Sequence, residues 1–341
     1  MRQEPAIDRT ALAAAIRDNW SLAPVNLVHI PAGEYAFCYA FDAAGGRFFA
    51  KIWPAARPGY VSTESTLAML KLTRALYDRG AFTAQAAPMV TNAGTLHTTL
   101  DGRLLALFPF IAGGPPVESA AFAAAFGCSI AALQAATSAV ADLPLRREAL
   151  DIPFAATLPR AFDFLGRIGP GDGPGRRAAR DLMLPYRAGV MAELNRLRGL
   201  QSVVSASDPP FVICHRDIGI HNMIADDAGR LCFIDWDDVA LAPPEHDLFF
   251  ARGPWFATAL TAYFDAGGTR ALSRDRFAFV HLRRVLDDMS FRLHTMMLDE
   301  TGETDAHEVF GLEEWVVPAW LDREADFAEM SSAFDQVSPA R

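Results

Sequence analysis

Three side chains that could do chemistry together crowd the stretch HRDIGIHN, where His215 and Asp217 are followed by Asn222. Thirteen residues later Asp235 closes the apolar run LCFID. FVICH reads as a short strand, so residues 215–222 form a loop at its end that can aim side chains into a cleft. LCFIDWD reads as a second strand whose end presents Asp235, and DDAG between the apolar stretches is a hairpin turn. Such a hairpin would gather Asp217, Asn222 and Asp235. Phosphoryl transfer from ATP needs a carboxylate beside the acceptor hydroxyl, plus an Asn and an Asp as hard oxygen ligands for Mg²⁺. The spacing H-x-D-x-x-x-x-N followed by a strand-end Asp is that of kinases.

Two other readings compete. In one, His215 and Asp217 only cap a turn while Asp235 begins the next loop. In the other, His215, Asp217, His221 and His246 hold a hydrolytic metal, although these histidines lack the short helical or loop spacing of such sites. An independent feature favours phosphoryl transfer. The chain has two lysines among its 31 basic residues, so arginine serves wherever a positive charge alone is wanted. Lys51 is nevertheless kept in mid-strand in FFAKIW, where a compact ammonium can hold phosphates and Glu64 of the following helix can orient it. Lys71 reads as a solvated helix residue. Neither lysine follows the glycines of a Walker A loop, which excludes the P-loop class.

The elements that must position these residues divide into two parts, 1–110 and 111–341. In the first, a helix from Asp8 to Trp20 with Asp8 as its cap precedes strands VNLVHI, FCYAFDA and RFFAKIW. A helix over 63–78 follows, ended by Arg79 and Gly80, and then short strands near PMVTN and RLLALFPFI. AGGPP breaks this pattern, and the remainder is mainly helical. The expected fold class is α+β: a small antiparallel sheet with one helix, joined to a larger helical lobe. GPGDGPG follows no strand and reads as an exposed loop. Ala120–Ala141 is long and apolar enough to suggest a membrane span, but its alanines, Ser129, Gln134, Thr137 and Ser138 favour a buried helix. The formal charge of −10 disfavours nucleic acid as a partner. Four scattered cysteines and an N-terminus without an apolar leader point to the cytoplasm, with no membrane.

VICHRDIGIHNMI, CFIDWDDVALAPPEHDLFF and LRRVLDDMSF together resemble the aminoglycoside phosphotransferases, specifically over 205–298 and more loosely over 33–113. The resemblance implies a bilobal, protein-kinase-like fold with ATP between the lobes. The nucleotide would lie against a hinge at Leu107–Ile111 carrying Phe108 and Phe110, and under the loop PAGEYAF with Gly33. It implies Asp217 as the catalytic residue, Asn222 and Asp235 as Mg²⁺ ligands, Lys51 with Glu64 as the phosphate clamp, and His215 and Asp247 as supports of the catalytic loop. The chain departs from the pattern in having one glycine in the nucleotide loop, and Gly219, Ile220 and His221 before Asn222.

The expected function is ATP- and Mg²⁺-dependent phosphorylation of a small-molecule hydroxyl. The resemblance implies an aminoglycoside or aminocyclitol acceptor such as spectinomycin, in the setting of antibiotic resistance. Asp237, Asp287 and Asp288 are the carboxylates expected to meet a cationic acceptor; Asp238, Glu245 and Glu300 are also available. A metabolic kinase of the choline, homoserine, fructosamine or methylthioribose type is the alternative, and an inactive kinase-like binding protein a third. The protein is expected to act as a monomer or homodimer.

Overall fold

The computed structural model describes residues 4, 6–31, 36–54 and 62–337. Helix α1 (Arg9–Trp20) starts at Asp8, whose carboxylate accepts the backbone N–H groups of Thr10 (2.7 Å) and Ala11 (3.3 Å). Strands β1 (Val25–Ile30), β2 (Phe37–Ala43) and β3 (Gly46–Trp53) precede α2 (Thr63–Asp78), and β4 (Thr98–Leu100) and β5 (Arg103–Pro109) follow it. The five strands form one antiparallel sheet in the order β1-β2-β3-β5-β4.

Because side chains alternate across a strand, the two faces of β3 do different work. Ala50 and Ile52 join Tyr39, Phe41, Leu105 and Leu107 in a core closed by Leu12, Ile16 and Trp20 of α1. Lys51 and Trp53 face the other way, toward α2 and the second lobe. Helix α2 buries Thr66, Met69, Leu70, Leu72, Thr73 and Leu76 on one face, and Gly80 beyond it takes the left-handed φ of +63°. PMVTN is not a strand. It makes one ladder-like bond, Met89 N–H to Leu107 C=O (2.7 Å), while the neighbour of β5 is β4.

The lobes are joined through β6 (Gly113–Gly114), which pairs with β8 (Met223–Asp226). At Gly113, with φ +143°, a Cβ would lie 2.1 Å from the carbonyl oxygen of Ala225, so no other residue fits. A second tie runs from Ala84 C=O to Phe233 N–H (2.9 Å). The second lobe is built on α3 (Ala120–Ala135), α4 (Thr157–Leu165), α5 (Pro174–Met183) and α6 (Arg187–Ser205). Strands β7 (Val212–Cys214), β9 (Leu231–Phe233) and β10 (Ala240–Ala242) then form two small sheets, β10-β7 and β6-β8-β9. Helices α7 (Glu245–Leu248), α8 (Phe256–Asp265), α9 (Arg274–Leu298), α10 (Asp305–Gly311) and α11 (Val317–Val337) complete it. Helix α3 and the turn after it (Ala120–Val140) have the length and hydropathy of a membrane span. Here α3 packs against α8 so closely that a Cβ on Gly127 would meet the Ala259 carbonyl at 2.1 Å.

The hairpin at DDAG is present, but its arms are β8 and β9. Strand β7, expected as an arm, pairs instead with β10. The loop between β7 and β8 therefore carries Asp217 and Asn222 to the same edge at which β9 delivers Asp235.

Candidate active site

Lys51 reaches across the cleft from the sheet. Its Nζ donates to Asp235 Oδ1 (2.6 Å) and Asp237 Oδ2 (2.9 Å), so one ammonium ties β3 to the end of β9. Burial alone would lower the Lys51 pKa, but the two carboxylates outweigh it and the net shift is upward. Enclosure likewise opposes ionisation of Asp235, yet the Lys51 ammonium holds that carboxyl below its ordinary range. At Asp237 burial wins, with Asp235 adding to it, and the pKa is raised. Asp237 also accepts from the Trp53 indole N–H (3.1 Å), which fixes it on the sheet side of the cleft. Asp235 has a left-handed φ of +61°, a conformation that costs a non-glycine residue energy and that here turns its carboxylate toward Lys51.

The loop carrying Asp217 is held from behind by Asp247 of α7. Its two carboxylate oxygens accept the backbone N–H groups of His215 (2.9 Å) and Arg216 (2.7 Å), the latter at φ +71°. Burial raises the Asp247 pKa to about 6, against the pull of those hydrogen bonds. The His215 ring packs beside Trp236 and its Nε2 lies 2.9 Å from the Ile234 carbonyl. Asn222, on a short helical turn, donates its amide N–H to both the main-chain oxygen (2.7 Å) and Oδ2 (3.0 Å) of Asp217. The Asn222 main-chain carbonyl accepts from Ile234 N–H (3.0 Å), so the two strands leading to the site are stitched at Asn222.

A residue absent from the sequence expectations completes the site. Arg284 of α9 donates from one terminal nitrogen to Asp217 Oδ1 (2.9 Å) and from Nε to Asp288 Oδ2 (2.9 Å). Its helix is anchored beside the loop by Glu148, which bridges Arg216 (2.6 Å) and Arg283 (2.9 Å). Burial would raise the Glu148 pKa, but the two guanidinium groups bring it down to about 2. The buried His246 beside them is pushed down to about 3 by burial and by Arg216, so it is a neutral packing residue. Asp287, half-buried, makes no hydrogen bond or ion pair with any described residue. Burial and the neighbouring Asp288 push its carboxyl up to about 6, against Arg283 and Arg284.

With the cleft described, comparison with known proteins becomes informative. Residues 29–281 match the family described as the phosphotransferase enzyme family. The chain belongs to that family. No curated protein matches the sequence. Among solved structures, spectinomycin phosphotransferase in complex with ADP and spectinomycin superposes with a TM-score of 0.76 at 17% identity, covering 94% of this chain and 99% of that one. An aminoglycoside phosphotransferase from Alicyclobacillus acidocaldarius gives 0.64 at 16% identity over 99% and 98%. A choline/ethanolamine kinase family protein from Mesorhizobium loti gives 0.56 at 16% identity over 93% of each chain. At these identities the likeness is one of fold: the kinase-like α+β architecture of this phosphotransferase family.

Within the phosphotransferase cleft, Lys51, Asp235, Asn222 and Asp217 stand together, with His215 and Asp247 behind the loop. Phe108 and Phe110 are half-buried at the hinge, where Phe110 N–H donates to Arg47 C=O (3.1 Å) and its ring lies under the Arg47 guanidinium. Gly33 lies outside the described residues. Three expectations are corrected. Glu64 is exposed at the start of α2 and does not pair with Lys51, whose partners are Asp235 and Asp237. Asp237 is committed to Lys51 and Trp53 on the sheet side of the cleft. Asp288 is engaged by Arg284, and Glu245 is buried against Arg276 (3.0 Å), which leaves Asp287 as the carboxylate there without a hydrogen-bond or ion-pair partner among the described residues. The i, i+4 spacing of Arg284 and Asp288 was a visible signal of their pairing. The bond to Asp217, 67 residues away, had no local signature.

Proposed function

We propose that the protein transfers the γ-phosphoryl group of ATP to a hydroxyl of a small molecule, with an aminocyclitol such as spectinomycin as the leading acceptor. The observation that carries the reading is the convergence of Asp217, Asn222 and Asp235 from one lobe with Lys51 from the other. Lys51 provides a compact cation for the phosphates. Asp217 orients the acceptor hydroxyl: as the hydroxyl oxygen bonds to the γ-phosphorus, the bond to the β,γ-bridging oxygen breaks with its electron pair leaving on ADP, and the hydroxyl proton passes to Asp217.

The donor set fits Mg²⁺. The Asn222 amide nitrogen is consumed by Asp217, so the atom left to it for a cation is its oxygen. The second oxygen of Asp235 carries no hydrogen bond among the described residues. Both are hard oxygen donors. Bound there, Mg²⁺ supplies charge neutralisation on the phosphates. The unpartnered Asp287 supports a cationic group on the acceptor, and the cysteine usage supports action in the cytoplasm. ATP consumption measured against a panel of aminocyclitols, macrolides and amino alcohols tests the reading. Phosphorylation of an aminocyclitol is expected; turnover confined to choline or ethanolamine would move the protein to the metabolic alternative.

A further inference from the structure

We propose that Arg284 is a catalytic residue that neutralises the transferred phosphoryl group from the acceptor side. The inference rests on the phosphotransfer reading above. The segment between Asp217 and Asn222 holds Ile218, Gly219, Ile220 and the exposed His221, so the catalytic loop offers no guanidinium or ammonium of its own there. Lys51, on the opposite side, is shared between Asp235 and Asp237. The guanidinium bonded to the catalytic carboxylate is that of Arg284.

Its geometry suits the task. One terminal N–H meets Asp217 Oδ1 and Nε–H meets Asp288, a pairing that pins the plane of the group. The three remaining N–H donors bond no described protein atom, and they form the forked edge that recognises phosphate oxygens in pairs. Each Asp217 oxygen accepts one protein hydrogen bond, Oδ1 from Arg284 and Oδ2 from Asn222, and a carboxylate oxygen can accept a second, so an acceptor hydroxyl bonded at Oδ1 stands beside Arg284. Two groups bonded to one carboxylate oxygen lie about 5 Å apart. A phosphoryl group being bonded by that hydroxyl thus comes within reach of the free edge of Arg284. The atoms balance as in the transfer above: Arg284 donates hydrogen bonds to phosphoryl oxygens and exchanges no proton.

The test compares binding of ADP·Mg²⁺ with that of ADP·Mg²⁺·aluminium fluoride, a mimic of the transferring phosphoryl group, in the wild type, Arg284→Gln and Arg284→Lys. A cationic group at the transfer point is worth up to ~10³–10⁵ in rate where it has been removed cleanly. The expected result is an aluminium fluoride complex weakened by roughly 10²-fold in Arg284→Gln with ADP affinity unchanged, and partial recovery in Arg284→Lys. If the mimic and ADP weaken equally, or if neither changes, Arg284 only positions Asp217 and the proposal is overturned. Failure of the wild type to bind ADP would instead overturn the phosphotransfer reading itself.

Discussion

Replacing Asp287 by Asn should make the protein more stable and a worse enzyme. The Asp287 carboxyl is pushed up to about 6, above the ordinary carboxylate range, first by burial and then by Asp288, with Asp238 adding and Arg283 and Arg284 opposing. A raised carboxyl pKa means the folded state prefers the protonated form, so ionisation of Asp287 costs folding stability. The cost is absent below the unfolded pKa, grows between about 4 and 6, and is complete above 6. The rise from the ordinary aspartate range to about 6 corresponds to at most ~3 kcal/mol, and the partial exposure of the side chain reduces this to ~1–2 kcal/mol. Asp287→Asn keeps the shape and removes the charge, so it should raise Tm by about 2–5 °C at pH 8 and leave it unchanged at pH ~3, below the unfolded pKa. Acceptor KM at pH 8 should rise roughly tenfold or more through loss of a charged partner for the amine, with the KM for ATP unaffected. A lower Tm at pH 8, or the same gain at both pH values, would refute the electrostatic argument. An unchanged acceptor KM would remove Asp287 from acceptor recognition.

Other perturbations separate the remaining parts. Lys51→Arg should reduce kcat/KM for ATP nearly as much as Lys51→Ala, because a planar guanidinium cannot take the place of an ammonium held between Asp235 and Asp237; full retention in steady-state kinetics would remove Lys51 from the clamp. Raised Mg²⁺ should partly rescue Asn222→Ala and rescue Asp235→Ala much less, and equal loss without metal dependence would make both residues structural. Gly113→Ala should lower stability by several kcal/mol or prevent folding, since its Cβ would sit on the Ala225 carbonyl. Urea unfolding measures this, and a neutral result would contradict the β6–β8 junction.

How much of this was legible in the sequence depended on whether the signal was local. The alternation and Gly turn around β2 and β3 located Lys51, and the rarity of lysine marked it. Its partner was misassigned, although the buried set Thr66, Met69, Leu70, Leu72, Thr73 and Leu76 already leaves Glu64 off the inward face of α2. PMVTN looked like a strand from composition. The better signal was Asp101-Gly102, whose positive φ values of +48° and +75° make the tight β4–β5 turn. Asp217, Asn222 and Asp235 were legible because one loop and one strand end carry them. Arg284 and Glu148 were not, because their bonds to Asp217 and Arg216 depend on how α9 packs against the catalytic loop.

The central claim is that Asp217 performs chemistry and does not merely shape its loop. Its carboxylate sits between Asn222 and Arg284 with His215 and Arg216 fixed behind it by Asp247, so the loop's geometry is held largely without the Asp217 charge. The most direct test is the single-turnover rate of Asp217→Asn, measured beside its ADP·Mg²⁺ affinity. Asn preserves size and one oxygen but cannot take the acceptor proton. The account predicts near-unchanged nucleotide affinity and a rate lowered by roughly 10²–10⁴. A variant that retains more than about a tenth of the wild-type chemical rate would contradict it.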